Sequence, residues 1–375
     1  MPSIRLRDRD AIVTREGLIF RVLGYSHPSN IYICDVEYAP AEHFRSDNPK
    51  ALRMKNDHAF YKFYEDEGWK FLRHSFPRYL IFDEMLQKKI IGVNQVDFMN
   101  VMKPDQELQR LAKTKPKDEL IASLQNALGL LTERSGLMNK DFGVFGSILC
   151  GFHHPRFSDL DFVVYGRNNV AKLRETMLTL YSDSASLFRN EFGSDEPIKG
   201  KRWRFNNFSL KEFVWHQCRK LIYSQFRDEK AKRIIKTELE PVKEWQEISN
   251  EYDPRAKIAQ KGWVKMYASI TGDDDAPFMP SIYEIRPMKI LEGSRRASEA
   301  TRIVSHMEEF RMQVCRGETV YVEGNLEEIE TSYRNSVQVS LTYCPRYYEQ
   351  VLKVSPRDQV TPKSKNLMAY SPTRA

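Results

Sequence analysis

The sequence predicts an α+β protein in which β-rich segments flank a central segment of helices and strands. Three observations indicate this class: strand-like runs near the N-terminus, apolar residues at helical spacing in the centre, and strand-like runs near the C-terminus. The chain has 375 residues, enough for about two or three domains. We expect an N-terminal domain over residues 1–105, a central domain over 106–250, a C-terminal domain over 251–352 and a disordered polar tail over 353–375.

Composition and charge are those of an ordinary globular protein. Hydrophobic residues make up 41% of the chain, and 58 Lys and Arg stand against 51 acidic residues, a net charge of +7 that permits an anionic partner without requiring one. The five cysteines form no C-x-x-C pair, which disfavours a disulfide framework or a zinc cluster. We find neither a signal peptide nor an apolar run of membrane-spanning length, so we expect a cytoplasmic protein without a membrane partner.

The N-terminal segment predicts short strands. Runs at 11–14 and 18–23 are separated by Arg15-Glu16-Gly17, which is typical of a turn, and a third run lies at 30–38. Residues 57–102 are rich in aromatic side chains, and no division into elements is predicted for them.

The central segment alternates between helical and strand-like patterns. A helix is predicted to stop at Gly136, and Ser209 with Glu212 forms a capping box that opens another helix. The predicted elements, in chain order, are helix 117–134, strand 141–145, strand 160–166, helix 169–182 and helix 210–226.

The C-terminal segment predicts a small β-domain, and a barrel of the oligonucleotide-binding kind is one arrangement of it. Asp273-Asp274-Asp275 lacks the ligand spacing of a calcium loop, so we interpret it as a solvated turn. The predicted strands are 264–270, 282–285, 319–322 and 337–341, with turns at Gly272–Asp275 and Glu323–Asn325.

Two short motifs in the central segment carry the chemistry. Gly146-Ser147 follows an apolar run, and eleven residues separate it from Asp159-Leu160-Asp161, which opens a second apolar run. Side chains alternate faces along a strand, so Asp159 and Asp161 emerge on the same side. Two carboxylates so placed can hold one or two divalent cations against a polyphosphate. Gly146 has no Cβ to obstruct a phosphate, and Ser147 adds a hydroxyl and a backbone N–H.

This pattern resembles that of the DNA-polymerase-β-type nucleotidyltransferase superfamily, and the overall layout is similar to uncharacterised predicted nucleotidyltransferases of archaea. The specific resemblance covers residues 141–180. It implies a mixed β-sheet with flanking helices, and an enzyme that moves a nucleoside monophosphate from an NTP to a hydroxyl acceptor with release of pyrophosphate. It further implies that Asp159 and Asp161 bind Mg²⁺ or Mn²⁺ and that Gly146 and Ser147 hold the β- and γ-phosphates.

The family normally has a third carboxylate on a later strand, where it often acts as a base. Glu238 is our candidate if the run 233–239 is a strand. Capping of a helix explains Glu212 more simply, and Glu191 and Asp195 lie in a predicted loop.

The loop between the two motifs offers one more candidate. Arg156 can contact a phosphate of the NTP. His153 and His154 resemble a metal pair, but adjacent residues rarely bind one ion without further ligands, so we interpret them as loop surface.

Residues 199–236 contain twelve Lys and Arg but only three acidic residues, with aromatic residues interleaved, among them Trp203, Phe205, Phe208, Trp215 and Tyr223. Such a segment can bind an RNA or DNA acceptor or the triphosphate, because cations neutralise phosphates and aromatic rings stack on bases. It is equally compatible with a solvated helix whose aromatic residues pack inward.

Two alternatives to a nucleic-acid-modifying enzyme therefore stay open: a non-catalytic nucleic-acid-binding protein on a degenerate core, and a nucleotidyltransferase with a small-molecule acceptor. The oligomeric state is not predicted.

Overall fold

A computed structural model describes residues 4–355 except residues 56, 195, 201 and 332–334. Its helices are α1 Glu67–Ser75, α2 Pro104–Lys113, α3 Glu119–Ser135, α4 Gly146–Cys150, α5 Arg167–Ser182 and α6 Leu210–Lys220. Its strands are β1 Ala11–Thr14, β2 Ile19–Val22, β3 Ile31–Pro40, β4 Leu52–Lys55, β5 His58–Lys62, β6 Leu80–Asp83, β7 Lys88–Asn94, β8 Phe98–Met102, β9 Phe142–Val144, β10 Leu160–Tyr165, β11 Phe188–Asn190, β12 Tyr223–Asp228, β13 Arg233–Val242, β14 Lys257–Gly272, β15 Ser281–Glu292, β16 Ala300–Ser305, β17 Thr319–Glu330, β18 Asn335–Leu341 and β19 Val351–Val354.

The chain divides into two compact units. The first comprises residues up to 166 together with 228–254, and the second comprises 167–227 together with the chain from 255 onward. In the described part of the chain, no helix combines the length and the apolar character that are needed to cross a lipid bilayer.

The first unit begins with a β-sheet in the strand order β4-β5-β3-β2-β1-β8, to which β7 and β6 are added through β3. The predicted hairpin between β1 and β2 is present, because Gly17 adopts φ +78° and its N–H donates to the Thr14 carbonyl. Ile12, Phe20 and Val22 are fully buried in the core of this sheet.

Helix α3 ends at Gly136, as the sequence indicates, and begins after Asp118, which lies inside the helix predicted from the sequence. Asp118 accepts a hydrogen bond from the Ile121 N–H at 3.0 Å as the N-cap, and Gly136 ends the helix in the left-handed conformation at φ 64°. The strands that follow form a mixed arrangement, since β10 pairs antiparallel with β9 and parallel with β13. The structure thus confirms the mixed β-sheet with flanking helices.

The second unit begins with α5, the antiparallel pair of β11 and β12, and α6. The capping box between Ser209 and Glu212 opens α6 as predicted. The prediction that this helix runs to 226 is wrong: it ends at Lys220, and Leu221 adopts φ 61°. The residues beyond it bury alternate side chains in β12, the period of a strand rather than of a helix.

The rest of the second unit is a closed β-barrel. Its strands follow the order β14-β15-β16-β18-β17, β14 also pairs with β17, and β19 adds to β17. Barrels of the oligonucleotide-binding kind also have five strands. The side chains of Val264, Met266 and Ala268 alternate inward and are fully buried.

Several sequence-based expectations for this barrel are wrong. Glu323–Asn325 lies inside β17 instead of forming a turn, and Gly324 allows close packing there because a Cβ would lie 2.9 Å from the Ser340 carbonyl oxygen. Strand β16 was not predicted. Asp273 is buried and accepts a hydrogen bond from the Arg316 N–H, so it is not a solvated turn residue.

The predicted disordered tail lies mostly outside the described residues, which end at 355. Lys353 and Val354, which the prediction assigned to the tail, belong to β19.

Candidate active site

The two predicted metal ligands lie at the beginning of β10. In the parallel pairing of β10 with β13, Asp161 is aligned with Glu238, the candidate for the third carboxylate. Asp159 directly precedes the strand and is exposed, whereas Asp161 and Glu238 are half-buried. The run that contains Glu238 is a strand, and its register brings this residue beside Asp161.

The Gly-Ser turn lies directly against Asp161. Gly146 adopts φ +63°, and a Cβ on this residue would lie only 2.6 Å from Asp161 Oδ2. The Phe145 N–H donates to the Asp161 carbonyl at 3.0 Å, which holds the turn to β10. Ser147 follows in the first turn of α4, and no side chain caps this short helix. Only glycine satisfies both the left-handed backbone and the close approach of the carboxylate.

The electrostatics of this site are dominated by neighbouring carboxylates. Burial raises the pKa of Asp161 well above its usual value, and the negative charges of Glu238 and Asp159 raise it further. Partial desolvation also raises the pKa of Asp159, although nearby cations oppose that rise. Like charges brought this close disfavour ionisation until a cation offsets their repulsion.

Three cations surround the acidic side chains. Lys236 Nζ lies 2.6 Å from Glu238 Oε1 and lowers the pKa of Asp159, as do Arg233 and Lys62. Sequence reasoning placed Lys236 and Arg233 only in a general basic segment and did not single out Lys62. The sequence could have indicated Lys236, because it lies two positions before Glu238 and side chains two positions apart in a strand share a face.

The donor set fits a magnesium or manganese ion. Mg²⁺ is typically held by one or two carboxylates together with substrate phosphates and water. In this site the carboxylates of Asp159, Asp161 and Glu238 repel one another, and a bound cation would offset that repulsion. The described residues contain no group of three or more His, Cys, Asp or Glu side chains arranged as a complete metal site.

The loop before Asp159 is held in place by hydrogen bonds. Arg233 Nη1 donates to the Pro155 carbonyl at 2.9 Å, and the His154 N–H donates to Ser158 Oγ at 2.8 Å. Arg156 is exposed in this loop. Phe157, which sequence reasoning missed, is 81% exposed and packs its ring against that of His154.

The interpretation of His153 as loop surface is wrong. Its side chain is only 4% exposed, and its Nε2 lies 2.9 Å from Asp118 Oδ2. Because Asp118 also caps α3, this contact ties the loop between the motifs to that helix. His154 is exposed, as expected.

The other acidic candidates belong to the second unit or lie outside the described residues. Glu212 fills the capping box of α6 and forms an ion pair with Lys353 at 2.9 Å. Glu191 lies in a short 3-10 helix, and residue 195 is outside the described part of the chain.

Most aromatic side chains of the 199–236 segment pack inward, although Trp215 is 38% exposed. Phe205 and Phe208 are buried in the core of the barrel, and Trp203 packs against them. Lys220 is also fully buried and donates to the Glu309 carbonyl at 2.7 Å. These side chains follow the structural interpretation of the segment, with aromatic residues that pack inward.

Comparisons with known proteins identify the domain that contains these residues. Residues 124–243 match the family model described as a nucleotidyltransferase domain. An uncharacterised protein of Methanocaldococcus jannaschii is 28% identical over 333 residues, which cover 87% of this chain and 92% of that relative. No solved structure gives a significant match. The chain therefore contains a polymerase-β-like nucleotidyltransferase domain, with β-rich regions on both sides of it.

Proposed function

We propose that this protein is a Mg²⁺-dependent nucleotidyltransferase that moves a nucleoside monophosphate from an NTP to a hydroxyl group and releases pyrophosphate. The observation that carries the proposal is the contact of the Asp161 carboxylate with the Gly146 turn, together with its alignment with Glu238. This arrangement gathers acidic side chains beside an open backbone turn, where a cation-bound triphosphate fits.

The residues divide the work of the reaction. Gly146 leaves room for both the Asp161 carboxylate and a phosphate, while the N–H and hydroxyl of Ser147 donate to phosphate oxygens. Asp159 and Asp161 would hold the metal ion. When bound, Mg²⁺ supplies charge neutralisation of the triphosphate and orientation of the leaving group.

Glu238 accepts the proton of the acceptor hydroxyl in this proposal. The hydroxyl oxygen bonds to the α-phosphorus, the bond from that phosphorus to the bridging oxygen breaks, and pyrophosphate leaves with the electron pair. Lys236 orients the Glu238 carboxylate through its 2.6 Å ion pair. Arg156 is exposed and lies shortly before Asp159 in the chain, and it would contact a phosphate of the NTP.

A nucleic acid is our candidate acceptor. The closed five-stranded barrel and the exposed cations of the 199–236 segment, such as Arg202, Lys211 and Lys230, support it. The same features support the alternative of a non-catalytic nucleic-acid-binding protein. Retention of steeply salt-dependent RNA or DNA binding without any turnover would favour that alternative.

The test of the proposed function is a transfer assay with α-³²P-labelled NTPs, Mg²⁺ or Mn²⁺, and total RNA, single-stranded DNA or small hydroxyl compounds as acceptors. We expect metal-dependent labelling of one acceptor with equimolar pyrophosphate release. Asp161→Asn should reduce the rate at least about 10²–10³-fold, the range found when one transition-state-stabilising group is removed.

The fold should survive that substitution, because Asn removes a half-buried charge that its acidic neighbours disfavour. The unfolding free energy of Asp161→Asn should equal or exceed that of the wild type. Wild-type protein that releases no pyrophosphate with any acceptor, or Asp161→Asn protein with full activity, would contradict the proposal.

A further inference from the structure

The first unit contains a cavity whose lining includes none of the acidic residues of the candidate active site. Its volume is about 560 Å³, within the range of small-molecule sites and large enough for a nucleotide. Strand β8, helix α2 and the C-terminal half of α4 contribute to its walls, and Asp159, Asp161, Gly146 and Ser147 do not line it.

The cavity has a cationic lining. Lys55, Lys103, Arg110 and Lys117 contribute to it, against the single acidic residue Glu107. Glu107 already pairs with Arg110 at 2.6 Å, and Lys103 lies 3.5 Å from Asp10. Within the described residues, neither Lys55 nor Lys117 forms an ion pair. Lys117 acts electrostatically on the neighbouring Asp118, whose carboxylate contacts His153 of the lining, but both ammonium groups keep hydrogen-bond donors for an anion.

A hydrogen bond to the backbone of α4 positions the Lys55 side chain. Its Nζ donates to the Cys150 carbonyl at 2.8 Å, at the C-terminal end of α4. Gly151 adopts φ +72°, and a Cβ there would lie 3.3 Å from Lys55 Cε. An ammonium group has three donors, so one bond to a carbonyl leaves others for a ligand.

The remaining wall is apolar. Met102, Leu111, Ile148 and Leu149 line it. Apolar side chains beside cations suit a ligand with a hydrophobic or aromatic body and an anionic group, rather than a small inorganic anion.

We propose that this cavity binds an organic phosphate of nucleotide size, with the phosphate at Lys55 and Lys117 and the base or other apolar body against Met102 and Leu149. The ligand is either a free nucleotide or the phosphorylated end of a nucleic acid, which share this chemistry. The proposal does not depend on the transfer reaction.

The test uses the full chain with the Asp161→Asn substitution in EDTA, so that neither turnover nor metal-dependent binding of an NTP contributes. Isothermal titration calorimetry with the four nucleoside 5′-monophosphates should give a Kd below about 1 mM for at least one of them. The matching nucleoside without a phosphate should bind at least about tenfold more weakly, since charged hydrogen bonds are lost.

Three variants locate the binding. Lys55→Gln and Lys117→Gln should each weaken it about tenfold or more, and Gln106→Trp should block it by filling the cavity from an exposed position. Lys140→Gln removes an exposed charge of the same unit outside the cavity and should leave the Kd unchanged. Lys117 and Gln106 are exposed, so these variants are expected to fold.

A 5′-phosphorylated oligonucleotide distinguishes the two sources. Tighter binding than the monophosphate, still sensitive to Lys117→Gln, would assign the cavity to a nucleic-acid end, and equal or weaker binding would assign it to a free nucleotide. Absence of binding by all these probes, equal binding of nucleoside and nucleotide, or binding that none of the three cavity variants weakens would overturn the proposal.

Discussion

At the scale of single residues, the site depends on a glycine that accommodates a carboxylate. The sequence could supply Gly146, Ser147, Asp159 and Asp161 as candidates, because spacing and strand alternation are local properties. It could not show that the Asp161 carboxylate occupies the space of a Gly146 side chain, since the contact requires the pairing of distant backbone segments.

Replacing Gly146 with alanine should damage the site more than the fold. A non-glycine residue in the left-handed region costs about 1–2 kcal/mol, and the new Cβ would lie only 2.6 Å from Asp161 Oδ2, so the carboxylate would have to move. We expect at least about a 100-fold loss in kcat/KM, because small displacements of reacting groups have effects of that size.

Gly129→Ala is the matched control for this experiment. Gly129 lies inside α3 with no neighbour within 4 Å of a Cβ, so alanine should stabilise the helix by about 0.5–1 kcal/mol without altering turnover. Wild-type kcat/KM in Gly146→Ala would refute the role of the turn.

Substitutions of two glutamates on β13 should have contrasting effects, one on the catalytic rate and the other on the free energy of unfolding. Glu238→Gln should lower kcat about 10²–10⁴-fold through loss of the base, with the free energy of unfolding nearly unchanged. Glu240 is buried in a 2.8 Å ion pair with Arg9, so Glu240→Gln should lower the unfolding free energy by up to about 3–5 kcal/mol. Steady-state kinetics and urea unfolding of both variants measure the contrast. Full activity of Glu238→Gln would remove this residue from the mechanism.

At the scale of elements, the sequence predicts boundaries where a local signal marks them. Gly136 ends α3 as predicted, because its left-handed conformation is a local property of glycine; the N-cap Asp118 was not singled out, although its effect is equally local. The end of α6 and the course of β17 were missed because pairing with distant strands decides them. Gly324 is typical of a turn in isolation, but it lies in a strand that β14 and β18 pair on both sides.

Helix α6 contains a histidine that should make the protein sensitive to acid. His216 is fully buried, donates from Nδ1 to the Glu212 carbonyl at 2.7 Å and accepts the Val354 N–H at Nε2. Burial lowers its pKa from 6.5 to about 3. Between these values the unfolded chain binds the additional proton, so this residue's contribution to stability falls as the pH drops from 6.5 towards 3.

The expected slope is about 1.4 kcal/mol per pH unit in that window. Urea unfolding at several pH values should show a shallower dependence for His216→Gln than for the wild type. His74→Gln replaces an exposed histidine and should keep the wild-type slope. Identical slopes for wild type and His216→Gln would show that His216 does not carry the effect.

At the scale of the whole molecule, the N-terminal sheet packs closely with the nucleotidyltransferase strands in the first unit. Arg9 pairs with Glu240, the guanidinium of Arg7 lies 3.6 Å from the ring centroid of Tyr165, and Lys55 covers the end of α4. Composition and periodicity could not foresee these contacts, because they join residues up to 231 positions apart. The same packing brings Lys55 to the cavity.

The most direct measurement of the central claim is a crystal structure with Mn²⁺ and a non-hydrolysable NTP analogue. The account predicts that the anomalous signal places Mn²⁺ in contact with the carboxylates of Asp161 and Asp159. The triphosphate should lie against Gly146 and Ser147. An NTP analogue and Mn²⁺ bound elsewhere, with Asp161 in contact with neither, would contradict it.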